Sequence, residues 1–326
     1  MASKPPVPDA LALQALYGRY RRLLVAARPE LAVRLSEGSM QRVARFLDLA
    51  ATYDCILFDA YGVLNRGPAP IPGAAATLAA LTRMGKPFFL VSNNACHPPV
   101  SILEQLHAMG FVLDAHQLVT SGMVVKPVVA AGPWRDRPYC LVGTEAGARA
   151  YAPDPERLMV NFPPDRVDWA IERVRLAEYI LVCSDVDYHG DVQQRLVEAL
   201  FAERPRPVLL ANPDLVAPNS QGSNLWVSGL TVADLEQRFG MPWVGLGKPF
   251  APVFDFALER VGMLSRERIL MVGDTLETDI LGGAAMGFAT CLTLSGVLAG
   301  QGGGGEVVDV CRERGICPDY IVDSIA

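Results

Sequence analysis

From residue 51 onward, short and almost wholly apolar runs alternate with segments of helical period. "CILFDAYG" is followed by "GAAATLAALTRMG", and "KPFFLVSNN" by "VSILEQLHAMGF". The rhythm returns near the end in "FAPVFDFALERVG", "RERILMVGDT", "DILGGAAMG" and "FATCLTLSG". A continuous apolar run leaves no face for water, so these runs predict strands covered on both sides, as in a parallel sheet wrapped in helices. The expected fold class is α/β, with a Rossmann-like, doubly wound parallel-sheet core.

Between the two stretches lie further strand candidates, "YCLVGTEAG", "YILVCSDVDY" and "PVLLANPD". Pro133 with "RDRP" marks the start of this middle section and "GMPW" its end. The expected organisation is a core over 51–132 and 242–326, an inserted α/β cap over 133–241, and an N-terminal helical extension over 1–50. The extension reads as two amphipathic helices, since it lacks the uninterrupted apolar core of a secretory signal.

Several function classes are excluded. The net charge of -6, with no long basic run, argues against nucleic-acid binding. The uncharged stretch from Ile280 to Gly305 could cross a bilayer by length, but its glycines, threonines and serine predict a helix end, a buried strand and a loop. No membrane span is expected. The "GQGGGG" patch at 300–305 is expected to be a loop, because it does not join a strand to a helix start as a dinucleotide fingerprint must. The seven cysteines form no CxxC pair, which predicts reduced thiols and a cytoplasmic location.

Four polar stations end the apolar strands or follow them closely: Asp59, Ser92 in "LVSNN", Lys248 in "GLGKPF", and Asp274 with Asp279 in "MVGDTLETD". Taken singly, each has an ordinary explanation as a helix cap, a turn or a solvated loop. In a doubly wound sheet the strand carboxyl ends meet beside the topological switch point, so all four can share one site. "GLGKPF" is not a P-loop, because Pro242 and Pro249 stand where that loop needs Gly and Ser or Thr.

The order Asp-x-x-Gly (Asp59 to Gly62), Ser-Asn-Asn (Ser92 to Asn94), Gly-Lys-Pro (Gly247 to Pro249) and Gly-Asp-x-x-x-Thr-Asp (Gly273 to Asp279) resembles the four motifs of the haloacid dehalogenase superfamily. The cap-sized insertion between the second and third motifs, and "ANPD" at 211–214, resemble its class IIA branch of p-nitrophenyl phosphatase-like and pyridoxal phosphatase-like enzymes. The resemblance implies that Asp59 attacks phosphorus and forms an aspartyl-phosphate. It implies that Gly62, Ser92, Asn93, Asn94 and Lys248 bind substrate, and that Lys248 neutralises the growing charge. It also implies Mg²⁺ held by Asp59, the backbone carbonyl of Tyr61 and Asp274, with Asp279 behind or beside them. The substrate would be a small phosphorylated metabolite admitted under the cap, and a homodimer would form through the cap. Elementary electrostatics agrees, since three carboxylates converging on a phosphate repel it unless a hard cation reverses the local charge. Lysine and fixed donors then supply the stabilisation on which phosphoryl transfer depends.

Tyr61 departs from the pattern. In the family's phosphatases the residue two after the nucleophile is an aspartate that protonates the leaving alcohol and then activates water. A phenol with a pKa of about 10 can donate a hydrogen bond but is a poor base, and losing such a group costs roughly 10²- to 10⁴-fold in rate. Slow turnover or a long-lived aspartyl-phosphate is therefore expected. "FDAYG" also resembles the first motif of the 2-haloacid dehalogenases, whose halide leaves without a proton. Those enzymes carry Ser and Asn where "GDTLETD" stands here, and their cap follows the first motif. Phosphoester chemistry accordingly ranks above dehalogenation, and a phosphometabolite-binding protein without turnover is the third reading. Asp185, Asp187 and His189 are candidates to enter the site from the cap, and His97 could touch substrate. Asn212 and Asp214 are expected to fix the join of cap and core.

Overall fold

The computed structural model describes residues 6–153, 175–188, 192–218, 224–299 and 304–326. Two parallel sheets dominate. The larger has seven strands in the order Gln41–Arg42, Tyr320–Val322, Ala289–Thr293, Ile269–Gly273, Cys55–Phe58, Phe88–Ser92 and Leu118–Thr120. Every neighbouring pair in it is parallel. After the edge strand Gln41–Arg42 the chain crosses to Cys55–Phe58, builds outward through Phe88–Ser92 to Leu118–Thr120, and later returns to build the other side from Ile269–Gly273. The switch point therefore lies between Cys55–Phe58 and Ile269–Gly273.

The apolar runs are buried on both faces, as their composition requires. Ile56 and Phe58 pack with Leu78 and Leu81 of the helix Ala74–Arg83, and with Phe46. Cys55 and Leu57, one step out of phase, pack with Val253, Phe254 and Ala257 of the helix Ala251–Val261.

The smaller sheet orders Trp243–Gly245, Val208–Leu210, Tyr179–Val182 and Tyr139–Val142, again all parallel. One face packs on the helices Val192–Glu203 and Ser228–Phe239. The other packs on Val125 and Val129 of the helix Ser121–Ala131.

Two features differ from the expected boundaries. The strand Trp243–Gly245 belongs to the smaller sheet, past the expected cap end at 241. Only three residues long, it offers no period of its own to set it apart from the adjoining Gly-Lys-Pro. The N-terminal 50 residues supply the helices Ala10–Ala27 and Glu30–Ser36, and also the edge strand Gln41–Arg42, which pairs with Tyr320 and Ile321. Two residues are too few to show an alternation. Among the described residues no helix is long and apolar enough to cross a membrane. The suspected stretch from Ile280 resolves into the helix Leu281–Met286 and the strand Ala289–Thr293, while 300–303 lie outside the described residues.

Candidate active site

The strand ends of both sheets open on one cavity of about 270 Å³. Asp59 follows Phe58 directly, and its backbone N–H donates to the Val272 carbonyl, which locks it beside the strand that delivers Asp274. From Asp274 the chain passes through one wide π-type turn, Leu276–Ile280, where the Ile280 N–H donates to the Thr275 carbonyl at 3.3 Å. This turn brings Asp279 back to the same point. Carboxylate oxygens of Asp59, Asp274 and Asp279 all lie within 4.8 Å of one another.

Lys248 sits among them. Its Nζ is 2.5 Å from Asp59 Oδ1 and 2.8 Å from Asp279 Oδ1, the second contact being an ion pair rather than a well-aligned hydrogen bond. Among the described residues no lysine pairs with Asp274. Its carboxylate accepts instead from the Val297 N–H at 2.7 Å and the Thr275 hydroxyl at 3.1 Å.

One cation facing this many buried carboxylates leaves uncompensated charge. Burial pushes the Asp59 carboxyl up to about 7, with Lys248 opposing the shift and Asp279 adding to it. Burial and then the charges of Asp59 and Asp279 hold Asp274 well above the ordinary carboxylate range. Desolvation works against the Lys248 ammonium, yet Asp279, Asp59 and Asp214 outweigh it and hold lysine above its usual value. Three buried, hard oxygen donors short of positive charge fit a divalent cation such as Mg²⁺.

The fit around Asp274 is close. Gly62 has φ +84, and a Cβ there would lie 2.1 Å from Asp274 Oδ2; one on Gly296 would lie 1.9 Å from the same atom. Gly62 was expected to bind substrate, but its N–H donates to the Asn65 carbonyl and its own carbonyl accepts from Ser295. Its contribution is the tight turn.

The Ser-Asn-Asn motif divides its labour. Ser92 is buried, and its Oγ accepts the Asn94 N–H at 3.2 Å, which leaves the hydroxyl proton to point elsewhere. The Asn93 side chain is committed within the protein: Oδ1 accepts the Lys248 N–H at 2.7 Å, and Nδ2 donates to the Lys248 carbonyl at 3.0 Å and to Asp214 Oδ1 at 2.8 Å. The Asn94 side chain accepts from the N–H groups of Cys96 and His97 and so shapes the loop. The Asn93 side chain thus holds the site's frame, whereas Asn94 lines the cavity with its Nδ2 still able to donate to a ligand.

Tyr61 lines the cavity with 37% of its surface exposed, and burial followed by the Asp59 charge raises its phenol pKa. It stands as a neutral donor. Asp185 and His97 line the same cavity, whereas Asp187 does not, and His189 lies outside the described residues. The smaller sheet adds Ser184, Val186 and Asn212, with Leu225 and Trp226 beyond them. Sequence reading missed Val297 and Ser295, since backbone or hydroxyl contacts from a Gly-Ser loop carry no motif.

Known proteins share this plan. The sequence pattern of the haloacid dehalogenase-like hydrolases matches residues 56–152, and a second HAD-hydrolase-like pattern matches residues 245–326. Glycerol-3-phosphate phosphatase of Gallus gallus is 32% identical over 289 residues, spanning 85% of this chain and 91% of the relative. The chain therefore belongs to the haloacid dehalogenase-like hydrolase family, in the class IIA arrangement with the second sheet inserted between the Ser-Asn-Asn and Gly-Lys-Pro motifs. Among solved structures, a possible sugar phosphatase of the HAD superfamily from Cytophaga hutchinsonii gives a TM-score of 0.74 at 27% identity, over 88% of this chain and 98% of that one. A glycerol phosphate phosphatase from Mycobacterium tuberculosis, solved with magnesium, gives 0.65 at 26% identity over 85% and 76%.

Proposed function

We propose that the chain is a Mg²⁺-dependent phosphatase that cleaves small phosphate monoesters through an aspartyl-phosphate on Asp59. The observation that carries this reading is the trio Asp59, Asp274 and Asp279 with Lys248 set between two of them, at the strand ends of a parallel sheet. The relatives named phosphatases support it.

Asp59, Asp274 and Asp279, with the Tyr61 carbonyl as a further oxygen, would hold the ion. Bound there, Mg²⁺ would cancel the repulsion between the carboxylates and an incoming phosphate. The Asp59 carboxylate attacks phosphorus, the ester P–O bond breaks, and the electron pair leaves on the alcohol oxygen. Water then attacks the phosphorus of the aspartyl-phosphate, returning Asp59 as a carboxylate and releasing phosphate. Lys248 offsets the charge on the transferring group, and Ser92 donates its hydroxyl proton to a phosphoryl oxygen.

Tyr61 can hand a hydrogen bond to the leaving oxygen but cannot serve as the base for water. Esters of acidic alcohols such as phenols, which depart without a proton, are therefore turned over faster than alkyl esters. Dehalogenation fits less well, because Asp274 and Asp279 would repel the carboxylate of a haloacid.

The test is a panel of alkyl phosphates, aryl phosphates and 2-haloacids, assayed with Mg²⁺ or chelator. Phosphate release that needs Mg²⁺ and Asp59 bears the reading out. Halide release that persists in chelator would overturn it. Binding of phosphate esters without turnover, unchanged in Asp59→Asn, would make the protein a phosphometabolite binder.

A further inference from the structure

The helix Ala10–Ala27 lies outside every motif, yet it reaches the frame of the site. It buries Tyr17, Tyr20 and Leu24, spaced three and four residues apart on one face. Both phenols end on the same short segment. Tyr20 Oη donates to the Pro213 carbonyl at 2.6 Å, and Tyr17 Oη accepts the Leu215 N–H at 3.2 Å. Between those two anchors stands Asp214, which accepts from Asn93 Nδ2 at 2.8 Å. Asn93 in turn holds both backbone groups of Lys248.

Tyr20 has a second line of contact. Its ring meets Trp243 and Phe250 edge-on, at 5.8 and 5.4 Å between centroids, and those two rings touch each other at 5.6 Å. They bracket Lys248 in the chain. Simple packing accounts for the rings, since Tyr17, Tyr20 and Leu24 share one apolar cluster with Leu215, Leu230 and Leu276. It does not account for two buried hydroxyls aimed at the residues on either side of Asp214, because phenylalanine would fill the same space without a polar group to satisfy.

We infer that Tyr17 and Tyr20 are positioning residues that hold Asp214 against Asn93 and thereby set Asn93 and Lys248 at the phosphate site. This rests on reading that site as one that binds phosphate.

The experiment measures kcat and KM for p-nitrophenyl phosphate, calorimetric affinity for inorganic phosphate with Mg²⁺, and thermal unfolding. The variants are Tyr20→Phe, Leu24→Ala, Asn93→Ala and the double variant Tyr20→Phe/Asn93→Ala. Tyr20→Phe is expected to lower kcat/KM and phosphate affinity by about 3- to 10-fold, the worth of one hydrogen bond. Leu24→Ala, which trims the same helix face but removes neither tyrosine hydrogen bond, lowers Tm and leaves both quantities unchanged. In the Asn93→Ala background, Tyr20→Phe adds no further loss. The inference is overturned if Tyr20→Phe moves only Tm, or if its loss multiplies with that of Asn93→Ala. A wild type that binds inorganic phosphate but cleaves no ester refutes the phosphatase reading, and the helix is then judged by affinity alone. One that binds no phosphate overturns both.

Discussion

The two sheets are built alike and equip the cavity differently. Both are wholly parallel, and both aim strand carboxyl ends at the same space. The large sheet delivers Asp59 after Phe58, Ser92 at a strand end and Asp274 after Gly273. The small sheet delivers Ser184, Asp185 and Val186 after Val182, and Asn212 after Leu210. One end is charged and metal-ready, while the other is mixed and partly apolar. Architecture alone therefore assigns no chemistry, and the residue that ends each strand does. Lys248 breaks the symmetry, since it follows the small sheet's strand Trp243–Gly245 and yet pairs with the large sheet's carboxylates. The relative placement of the sheets thereby sets the ion pairs of the site.

If the large sheet carries the chemistry, Asp59→Asn has the largest effect, a loss of roughly 10⁴-fold in phosphate release together with loss of any acid-trapped phosphoenzyme. Lys248→Met should cost about 10²- to 10³-fold in kcat, as expected for one preorganised stabilising group. Tyr61→Asp, which restores a proton carrier, should raise turnover of alkyl phosphates by about 10²-fold and of aryl phosphates by much less. Equal gains on both would show that the leaving-group proton is not what limits the reaction.

The pH dependence follows from the Asp59 carboxyl, raised to about 7 in the fold against about 4 in an unfolded chain. The folded state binds this proton more tightly, so its stabilising contribution is present below about pH 4 and fades as pH climbs through 7. Without metal, Tm should fall between pH 5 and pH 8, and added Mg²⁺ should raise Tm more at pH 8. A larger Mg²⁺ effect at pH 5 would contradict the site. The smallest effect is expected from the small sheet's side of the cavity: Trp226→Ala should shift KM between esters by about 3- to 10-fold with kcat nearly constant.

Much of this was legible in the residues. Continuous apolar runs such as Ile56–Phe58 and Ile269–Val272 announce buried parallel strands, and the polar residue ending each run announces the site. What stayed hidden depends on distant contacts. Nothing local distinguishes Asn93, whose side chain serves Lys248 and Asp214, from an asparagine that holds substrate. The strand Leu118–Thr120 and the helix Ser121–Ala131, with Pro127 inside it, have no clean period to read. Tyr17 and Tyr20 look like ordinary amphipathic helix residues until the segment at 213–215 is brought beside them.

The wide turn Leu276–Ile280 acts as a spacer of fixed length. Deleting one residue from it would swing Asp279 by about 100° around the helix axis, away from Lys248 and Asp274, even with every named side chain retained. Residues 274–279 therefore tolerate no gap. A chain that keeps all the motif letters but loses one position there would keep the fold's outline and forfeit the ion site.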